Sequence, residues 1–321
     1  MNDTLKKLST IGIVPVIKID DVEKAVPLAR ALKAGGIPCA EITFRTAEGE
    51  EAIRRIAAQE PDVFVDAGTV LTTQQVDRAI SAGAKFIVSP GFNPKVVAYC
   101  IEKNIPIVPG CANPSDIEQA IEFGLEVVKF FPAEQAGGIE YIKAIAAPYV
   151  NMKFMPTGGV SEKNLNSYLA FNKIIACGGS WMVKAELINE GRFDEITALS
   201  AQAIELMLGF ELAHVGINAE NEQEALKAAK LFELMFGFKV KEGNSSLFAG
   251  KYVEVMKEPY LGKNGHIAIA TNSVERAVAY FENKGFAFNA DSARNGSDGK
   301  TLAIYLKDEI SGFAVHLLQK K

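Results

Sequence analysis

The stretch Val127–Pro132, with the sequence VVKFFP, decides how the fold of this chain is interpreted. It is short, apolar and rich in β-branched and aromatic residues, which is typical of a strand buried in a parallel sheet. Lys129 stands in its middle, although lysine is rarely buried without a partner. Burial disfavours the ammonium form, so Lys129 becomes a candidate nucleophile that forms a Schiff base. The alternative is a lysine at the rim of the sheet whose amine reaches solvent.

Similar apolar runs recur between residues 11 and 211. The eight predicted strands are Ile11–Ile19, Cys39–Arg45, Val63–Leu71, Lys85–Phe92, Ile105–Gly110, Glu126–Pro132, Met152–Thr157 and Ile174–Ser180. Helical patterns such as Val22–Ala34, Glu50–Gln59 and Ser115–Phe123 separate them. Strands that alternate with helices indicate a parallel sheet of the α/β class, and eight such units in roughly 200 residues predict a (β/α)8 TIM barrel. A doubly wound open sheet is the structural alternative.

The pattern changes after the predicted helix Arg192–Leu208. The order strand, helix, strand, strand, strand then occurs twice, with helices at Glu222–Phe236 and Ser273–Lys284. An internal period of about 50 residues predicts a smaller α+β domain made of two βαβββ repeats. We place the boundary near Glu211, which predicts a barrel domain over residues 1–211 and a second domain over residues 212–321.

Composition and charge bear on the expected partners and on the compartment. The chain has 321 residues, is 48% hydrophobic and carries a net charge of -5, which gives no reason to expect nucleic acid or an anionic membrane as partner. No apolar run reaches transmembrane length, and Met1–Lys7 lacks the apolar core of a signal peptide. The four cysteines are widely spaced and form no CxxC pair. We therefore expect a reduced, cytoplasmic protein.

A carboxylate and an arginine accompany the lysine on another strand. Side chains alternate along a strand, so Glu41, Thr43 and Arg45 share one face of the second predicted strand. The step from Glu41 to Arg45 covers roughly 13 Å, which places Glu41 deep in the barrel when Arg45 lies at its mouth. A carboxylate beside an amine can move protons during Schiff-base chemistry, and an arginine can hold an acid group of the substrate. The alternative is an ordinary polar layer in the barrel interior.

Paired glycines follow the last two strands of the predicted barrel. Thr157 ends the seventh predicted strand and is followed by Gly158 and Gly159, and the segment 178–180 (GGS) ends the eighth. In barrels of this kind, the loops after these strands often bind phosphate through backbone N–H groups that glycine leaves accessible. One glycine pair is weak evidence because turns need glycine, but two pairs at these positions indicate a phosphate site.

Taken in order, these residues resemble the 2-keto-3-deoxy-6-phosphogluconate (KDPG) aldolase family, which also acts as 4-hydroxy-2-oxoglutarate aldolase. The resemblance covers roughly residues 5–205. Its motifs are VPVI at 14–17, EITFRT at 41–46, AGTVL at 67–71, SPG at 89–91, KFFPAE at 129–134, PTGGV at 156–160 and GGSW at 178–181. The resemblance implies a class I aldolase that needs no cofactor or metal. It implies cleavage of KDPG to pyruvate and glyceraldehyde 3-phosphate, and of 4-hydroxy-2-oxoglutarate to pyruvate and glyoxylate.

The resemblance also implies roles for individual residues. It makes Lys129 the Schiff-base lysine and Glu41 the general acid and base, and it gives the substrate carboxylate to Arg45 and Thr69. The implied pocket residues are Pro90, Phe131 and Thr157, and the implied phosphate residues are Gly158, Gly159, Gly179 and Ser180. The family usually forms trimers, so the resemblance implies a homotrimer that acts on a small keto acid.

Asp66 departs from the family pattern, in which glycine often precedes the Ala-Gly-Thr motif. Because side chains alternate along a strand, Asp66 is expected to face away from Thr69 and toward the helix layer. We therefore predict a structural hydrogen bond for Asp66 rather than a catalytic role. The additional C-terminal half is a second departure, because the short members of the family lack it.

All three histidines of the chain lie after residue 212. His214 and His266 stand on the first strands of the two predicted repeats, and Glu254 and His316 stand on the last strands. Two equivalent pairs of nitrogen and oxygen donors can converge on one divalent metal. Residues 212–320 resemble the glyoxalase, or vicinal oxygen chelate, superfamily, in which the matching positions hold metal ligands. His316 stands where that pattern usually has glutamate, so the second carboxylate base of a glyoxalase is missing.

Several alternatives remain at this point. The C-terminal half can be a metal-free module that serves stability or assembly, or a sensor of a metabolite. The barrel can act on a related 2-keto acid, such as the galactonate epimer of KDPG. It can also be an inactive barrel that binds a metabolite, although the intact pair of Glu41 and Lys129 argues against this.

Overall fold

The structure is a computed structural model that describes residues 1–320, and it divides into two compact units, Met1–Met207 and Leu208–Lys321. The first unit contains parallel strands, and the second contains one mixed sheet. Among the helices of the described residues, none combines the length and the apolar character needed to cross a membrane.

The first unit alternates strands and helices along the chain. Its strands are β1 (Ile13–Ile17), β2 (Cys39–Thr43), β3 (Phe64–Gly68), β4 (Ile87–Val88), β5 (Ile107–Val108), β6 (Val127–Phe130), β7 (Lys153–Pro156) and β8 (Cys177–Gly179). Its helices are α1 (Asp3–Ile11), α2 (Ala25–Ala34), α3 (Gly49–Gln59), α4 (Thr73–Ala82), α5 (Pro94–Glu102), α6 (Pro114–Glu122), α7 (Gly138–Ala146), α8 (Leu165–Leu169), α9 (Ala185–Asn189) and α10 (Phe193–Leu208). A 3-10 turn at Val22–Lys24 precedes α2.

These strands follow one another in a curled parallel arrangement. Six of them pair in the order β5-β4-β3-β2-β1-β8, and β6 pairs with β7. Single parallel bridges join Gly110 to Lys129 and Thr157 to Gly178, which link β5 to β6 and β7 to β8. The result is a TIM-barrel-like fold in which the carboxyl ends of all strands lie at one face, where barrels of this class carry their active sites. The open doubly wound sheet is therefore wrong.

The strands are shorter than the apolar runs that predicted them. β4 contains two residues, whereas the predicted strand was Lys85–Phe92. Beyond β4 the chain turns, and the Ser89 hydroxyl donates a hydrogen bond of 2.8 Å to the carbonyl oxygen of Gly91. An apolar run marks burial, and burial continues past the last ladder hydrogen bond, so the pattern overestimates strand length.

Helix ends follow local capping chemistry. The Thr72 side chain accepts a hydrogen bond of 3.2 Å from the Gln75 N–H at the start of α4, and Gly83, with φ of 99°, ends that helix. At α6 the Asn113 side chain accepts from the Asp116 N–H. These signals involve neighbours along the chain. The helices predicted from periodicity agree with the structure to within a few residues at each end.

The second unit contains two helices and one sheet. Its strands are β9 (Glu211–Asn218), β10 (Val240–Glu242), β11 (Ser246–Ala249), β12 (Val253–Met256), β13 (His266–Thr271), β14 (Phe288–Asn295), β15 (Thr301–Leu306) and β16 (Ala314–Gln319). Its helices are α11 (Glu222–Phe236) and α12 (Val274–Glu282). A small apolar core forms where α11 packs on the sheet, and its fully buried members are Ala225, Ala229, Leu247 and Val255.

The order of strands places four of them at the centre of this sheet. It runs β10-β11-β12-β9-β13-β16-β15-β14. β9 and β13 are antiparallel to each other, and each pairs in parallel with the last strand that follows it, β12 or β16. The four positions singled out in the sequence are therefore on four adjacent strands, Glu254 on β12, His214 on β9, His266 on β13 and His316 on β16.

Candidate active site and histidine cluster

A buried lysine and a buried glutamate meet inside the barrel. Lys129 on β6 is 5% exposed and Glu41 on β2 is fully buried. β2 and β6 are not neighbouring strands, so their side chains meet across the interior of the barrel. Lys129 Nζ and Glu41 Oε1 are 3.3 Å apart there. The amine also lies 5.4 Å from the ring centroid of Phe131. This arrangement puts an amine beside a carboxyl group in a region with little solvent, a pair suited to nucleophilic and acid–base chemistry, and the alternative of a rim lysine is wrong.

The predicted substrate-binding arginine lies at the mouth of the barrel. Arg45 follows β2 and is exposed, and Ser180 follows β8 and is exposed as well. Both line a cavity of about 400 Å³ together with Lys18 and the start of α9. Arg45 therefore lies beyond the end of β2, on the side of Glu41 that faces the mouth of the barrel.

Thr69 has an unusual backbone conformation at the end of β3. Its φ is 58°, in the left-handed region, and its side chain is half-buried. β-branched residues rarely adopt this conformation, and such strain is concentrated at functional sites. Pro90, half-buried after β4, lies against the next strand end, since a Cβ at Gly110 would come within 2.0 Å of the Pro90 carbonyl oxygen.

The loop after β7 packs against the loop that follows Lys129. The carbonyl of Thr157 accepts from the Ala133 N–H at 2.8 Å, and the carbonyl of Gly158 accepts from the Glu134 N–H at 3.0 Å. Gly158 and Gly159 have φ of 97° and 80°, which glycine adopts without strain. The Thr157 hydroxyl is buried and has no hydrogen-bond partner within residues 1–320.

The glycines at the end of β8 have a packing role. A Cβ at Gly179 would lie 1.9 Å from the Trp181 ring, and one at Gly178 would lie 2.3 Å from the Thr157 hydroxyl oxygen. Close approach alone therefore explains why these positions are glycine. The predicted phosphate residues are brought to one face, but the structural need for glycine weakens the sequence argument at Gly179.

The prediction for Asp66 is wrong. Asp66 pairs in register with Glu41 on the adjacent parallel strand, so both side chains point into the barrel. Neither carboxyl oxygen has a hydrogen-bond partner among the described residues. Burial, and then the charge of Glu41, raise the pKa of Asp66 well above its ordinary range, against a smaller opposing effect of Lys129. The alternation argument failed because Thr69 lies beyond the strand and has a positive φ.

Comparison with known proteins identifies the family. The profile of the KDPG and KHG aldolase family matches residues 4–199. This chain belongs to the KDPG and KHG aldolase family. A 2-dehydro-3-deoxy-phosphogluconate aldolase of Treponema pallidum is 51% identical over 200 residues, which are 62% of this chain and 95% of that protein. The KHG/KDPG aldolase of Escherichia coli K12 is 42% identical over 198 residues, covering 62% of this chain and 93% of that protein.

A solved aldolase structure agrees with this assignment. The KDPG aldolase from Legionella pneumophila, with pyruvate captured at low pH as a covalent carbinolamine intermediate, aligns with a TM-score of 0.61. It is 37% identical and covers 63% of this chain and 98% of the Legionella chain. The predicted enzyme class is confirmed, because this family consists of aldolases, which are carbon–carbon lyases.

The second unit of this aldolase chain gathers its three histidines. Ligand atoms of His214, His266 and His316 lie within 4.8 Å of one another, on β9, β13 and β16. The Nε2 atoms of His214 and His266 are 3.2 Å apart, and each lies close to Glu254 Oε2, at 3.0 Å and 3.1 Å. All four predicted side chains therefore belong to one cluster.

The charges in this cluster differ from group to group. Burial alone would raise the pKa of the Glu254 carboxyl, but hydrogen bonds from His214, His266 and Ser246 outweigh burial and hold that pKa well below its ordinary range. Burial, followed by the neighbouring His266 and His214, lowers the pKa of His316 to about 3. His316 is therefore neutral near pH 7, the form in which imidazole binds a metal.

Sequence inspection missed several residues around the cluster. The Ser246 hydroxyl donates to Glu254 Oε1 at 2.5 Å, and the Tyr305 ring stacks on His316 with centroids 4.5 Å apart. Gly216 lies in register with both His266 and Glu254. No local motif marks these residues, because they come close to the cluster only when the strands pair. Gly216 could be found by aligning β9 with β12 and β13, since it stands opposite Glu254 and His266.

Proposed function

We propose that this protein cleaves KDPG to pyruvate and glyceraldehyde 3-phosphate through a Schiff base on Lys129. The observation that carries the proposal is the 3.3 Å contact between the amine of Lys129 and the Glu41 carboxylate across the barrel interior. Membership of the aldolase family and the names of the relatives support KDPG as substrate. Cleavage of 4-hydroxy-2-oxoglutarate is proposed as a second activity, supported by the name of the Escherichia coli relative.

The proposed reaction uses one nucleophile and one proton carrier. The Lys129 amine adds to the substrate ketone, and the carbinolamine loses water to give an iminium ion. Glu41 removes the proton of the substrate hydroxyl, the C–C bond breaks, and its electrons pass into the iminium to form an enamine. Glu41 then returns that proton to the enamine carbon, and water releases pyruvate and the free amine.

The remaining barrel residues bind the two ends of the substrate in this proposal. Arg45 and Thr69 hold the carboxylate, and the loops after β7 and β8 hold the phosphate. The proposed pocket residues are Pro90, Phe131 and Thr157, and the proposed phosphate residues are Gly158, Gly159, Gly179 and Ser180. The shared cavity of Arg45 and Ser180 supports a substrate that enters at this face.

We propose that the barrel domain ends at residue 211. A glyoxalase-like domain of two βαβββ repeats then begins at residue 212. A cytoplasmic homotrimer is part of the same proposal, and it rests on the resemblance to the aldolase family. Light scattering of the purified chain tests the trimer.

The test of the barrel chemistry is trapping with pyruvate and borohydride. We expect a reduced adduct on the peptide that contains Lys129 and none in Lys129→Met, which keeps the length and apolar stem of the side chain. The matched control is Lys153→Met on β7, which leaves the adduct intact. Folded protein without an adduct would exclude a class I aldolase and favour an inactive, metabolite-binding barrel.

Kinetics distinguish the substrates. We expect kcat/KM to be higher on KDPG than on the unphosphorylated keto acid, because the loops after β7 and β8 contribute phosphate contacts. Equal values would remove the phosphate role of the glycines. A preference for the galactonate epimer would keep the mechanism and change the substrate.

For the second unit, we propose a divalent metal site formed by His214, His266, His316 and Glu254. The observation that favours it is the convergence of the three imidazoles within 4.8 Å. The two ring nitrogens of buried His316 have no hydrogen-bond partner within the described residues, which fits a ligand whose partner is a metal. A divalent ion bound there supplies Lewis-acid chemistry. Because His316 replaces a carboxylate base, glyoxalase activity is not proposed.

The test of this site is elemental analysis. Protein purified without metal-affinity steps and supplemented with zinc, nickel or manganese is expected to bind one ion per chain, and His316→Ala is expected to lose it. The control is Cys100→Ala, a buried residue of the barrel. Absence of metal in the folded wild type would favour a metal-free module for stability or assembly.

A further inference from the structure

Two carboxyl groups lie side by side in the barrel interior. Glu41 and Asp66 are partners in register on β2 and β3, and both are fully buried. Neighbouring strands are about 4.8 Å apart, and residues in register on them point to the same face. The Glu41 side chain also leans over β3, because a Cβ at Gly68 would lie 2.4 Å from Glu41 Oε1.

When Glu41, Asp66 and Lys129 are all ionised, two negative charges face one positive charge. Lys129 can supply at most one positive charge, and its Nζ contacts Glu41 Oε1. The other oxygen of Glu41 and both oxygens of Asp66 have no hydrogen-bond partner within residues 1–320. Two adjacent buried carboxylates repel each other, and burial penalises each charge, so a single proton on the pair removes the repulsion.

We propose that Glu41 and Asp66 hold one proton between them in the resting protein, with Glu41 ionised beside Lys129 and Asp66 neutral. The catalytic part of this inference rests on the proposed function, in which Glu41 is the acid and base. Asp66 acts through Glu41 and is a positioning residue. The pair carries one proton at rest, two after Glu41 takes the substrate hydroxyl proton, and one again after Glu41 protonates the enamine.

The other titratable groups near Glu41 and Asp66 do not supply the charge that would balance a second carboxylate. Cys39 is on the same face of β2, and burial raises the pKa of its thiol well above the ordinary value, so the thiol stays neutral. Lys7 of α1 opposes that effect at Cys39, and its amine lies 4.9 Å over the Phe64 ring. The two residues of β4, on the other side of β3, are not titratable. Lys129 is thus the cation in direct contact with the pair.

Infrared difference spectroscopy of the resting protein tests the proton directly. We expect a protonated-carboxyl band at pH 7 in the wild type that disappears in Asp66→Asn. Asp62→Asn, a surface control, is expected to keep the band. Absence of the band in the wild type, or its survival in Asp66→Asn, would overturn the proposal.

The pH profile tests the role of the pair in turnover. Asparagine mimics the neutral carboxyl, so kcat of Asp66→Asn at pH 7 is expected within about threefold of the wild type. The step at which Asp66 ionises on the alkaline side is expected to vanish from its profile. An unchanged profile, or a loss of kcat above about tenfold at pH 7, would overturn the proposal.

The failure of this proposal is distinguishable from failure of the proposed function. A pyruvate adduct on Lys129 without the carboxyl band would reject the shared proton and keep the aldolase mechanism. The band without an adduct would keep the shared proton and reject the mechanism.

Discussion

Lys129 reaches a carboxylate of a distant strand because a glycine leaves space for that carboxylate. Glu41 lies over Gly68, where a Cβ would come within 2.4 Å of Glu41 Oε1 and 2.7 Å of Glu41 Cγ. The glycine of the motif at residues 67–71 therefore has a steric role next to the buried pair. Since Gly68 has no positive φ, a substitution there tests space alone and not backbone strain.

We predict that Gly68→Ala displaces Glu41 from Lys129. General acid–base catalysis contributes about 100-fold or more, so kcat on KDPG is expected to fall by about that factor. Gly91→Ala is the control, because its Cβ meets no atom within 4 Å. Steady-state kinetics measure the effect, and circular dichroism confirms that both variants fold. Equal kcat values in the two variants would contradict the steric role of Gly68.

At the scale of the elements, strand pairing assembles the histidine cluster. β9 lies between β12 and β13, and Gly216 is in register with Glu254 on one side and His266 on the other. A Cβ at Gly216 would lie 2.0 Å from the His266 ring, so the imidazole rests directly on the backbone of β9. The position of His266, one of the proposed ligands, is thus set by the absence of a side chain on the next strand.

We predict that Gly216→Ala weakens metal binding by about tenfold or more, because it moves His266 out of the cluster. Metal titration followed by elemental analysis measures the change. The same substitution at Gly91, in the barrel, is the control and is expected to leave metal content unchanged. A Gly216→Ala variant that binds metal like the wild type would show that His266 is not a ligand.

At the scale of the whole molecule, the proton on Asp66 links the stability of the barrel to pH. The pKa of Asp66 in the folded state is above its ordinary value of 3.8, mainly because of burial. At a pH above 3.8 but below the raised pKa of the folded state, the unfolded chain has lost a proton from Asp66 that the folded chain still holds. The free energy of unfolding therefore decreases as the pH rises from about 4 until the folded carboxyl itself ionises.

We predict that Asp66→Asn removes this pH dependence. The difference in the free energy of unfolding, variant minus wild type, is expected to grow with pH above about 4, by at most about 1.4 kcal/mol per pH unit for one proton. Urea unfolding of the barrel transition at several pH values measures it. A constant offset between the two proteins would mean that Asp66 ionises at an ordinary pH in the folded state.

The sequence by itself determined what depends on neighbours along the chain. Apolar runs predicted the eight strands and the burial of Lys129, alternation predicted the depth of Glu41, and helical periodicity predicted the helices to within a few residues of their ends. The tertiary structure alone decided which strands meet, because register depends on the packing of a whole sheet. The pairing of β2 with β3 points Asp66 inward beside Glu41, which alternation from Thr69 did not predict because the strand ends before Thr69. Tertiary packing also places Ser246 against Glu254 and Tyr305 against His316. Periodicity carries no information about such contacts between distant segments.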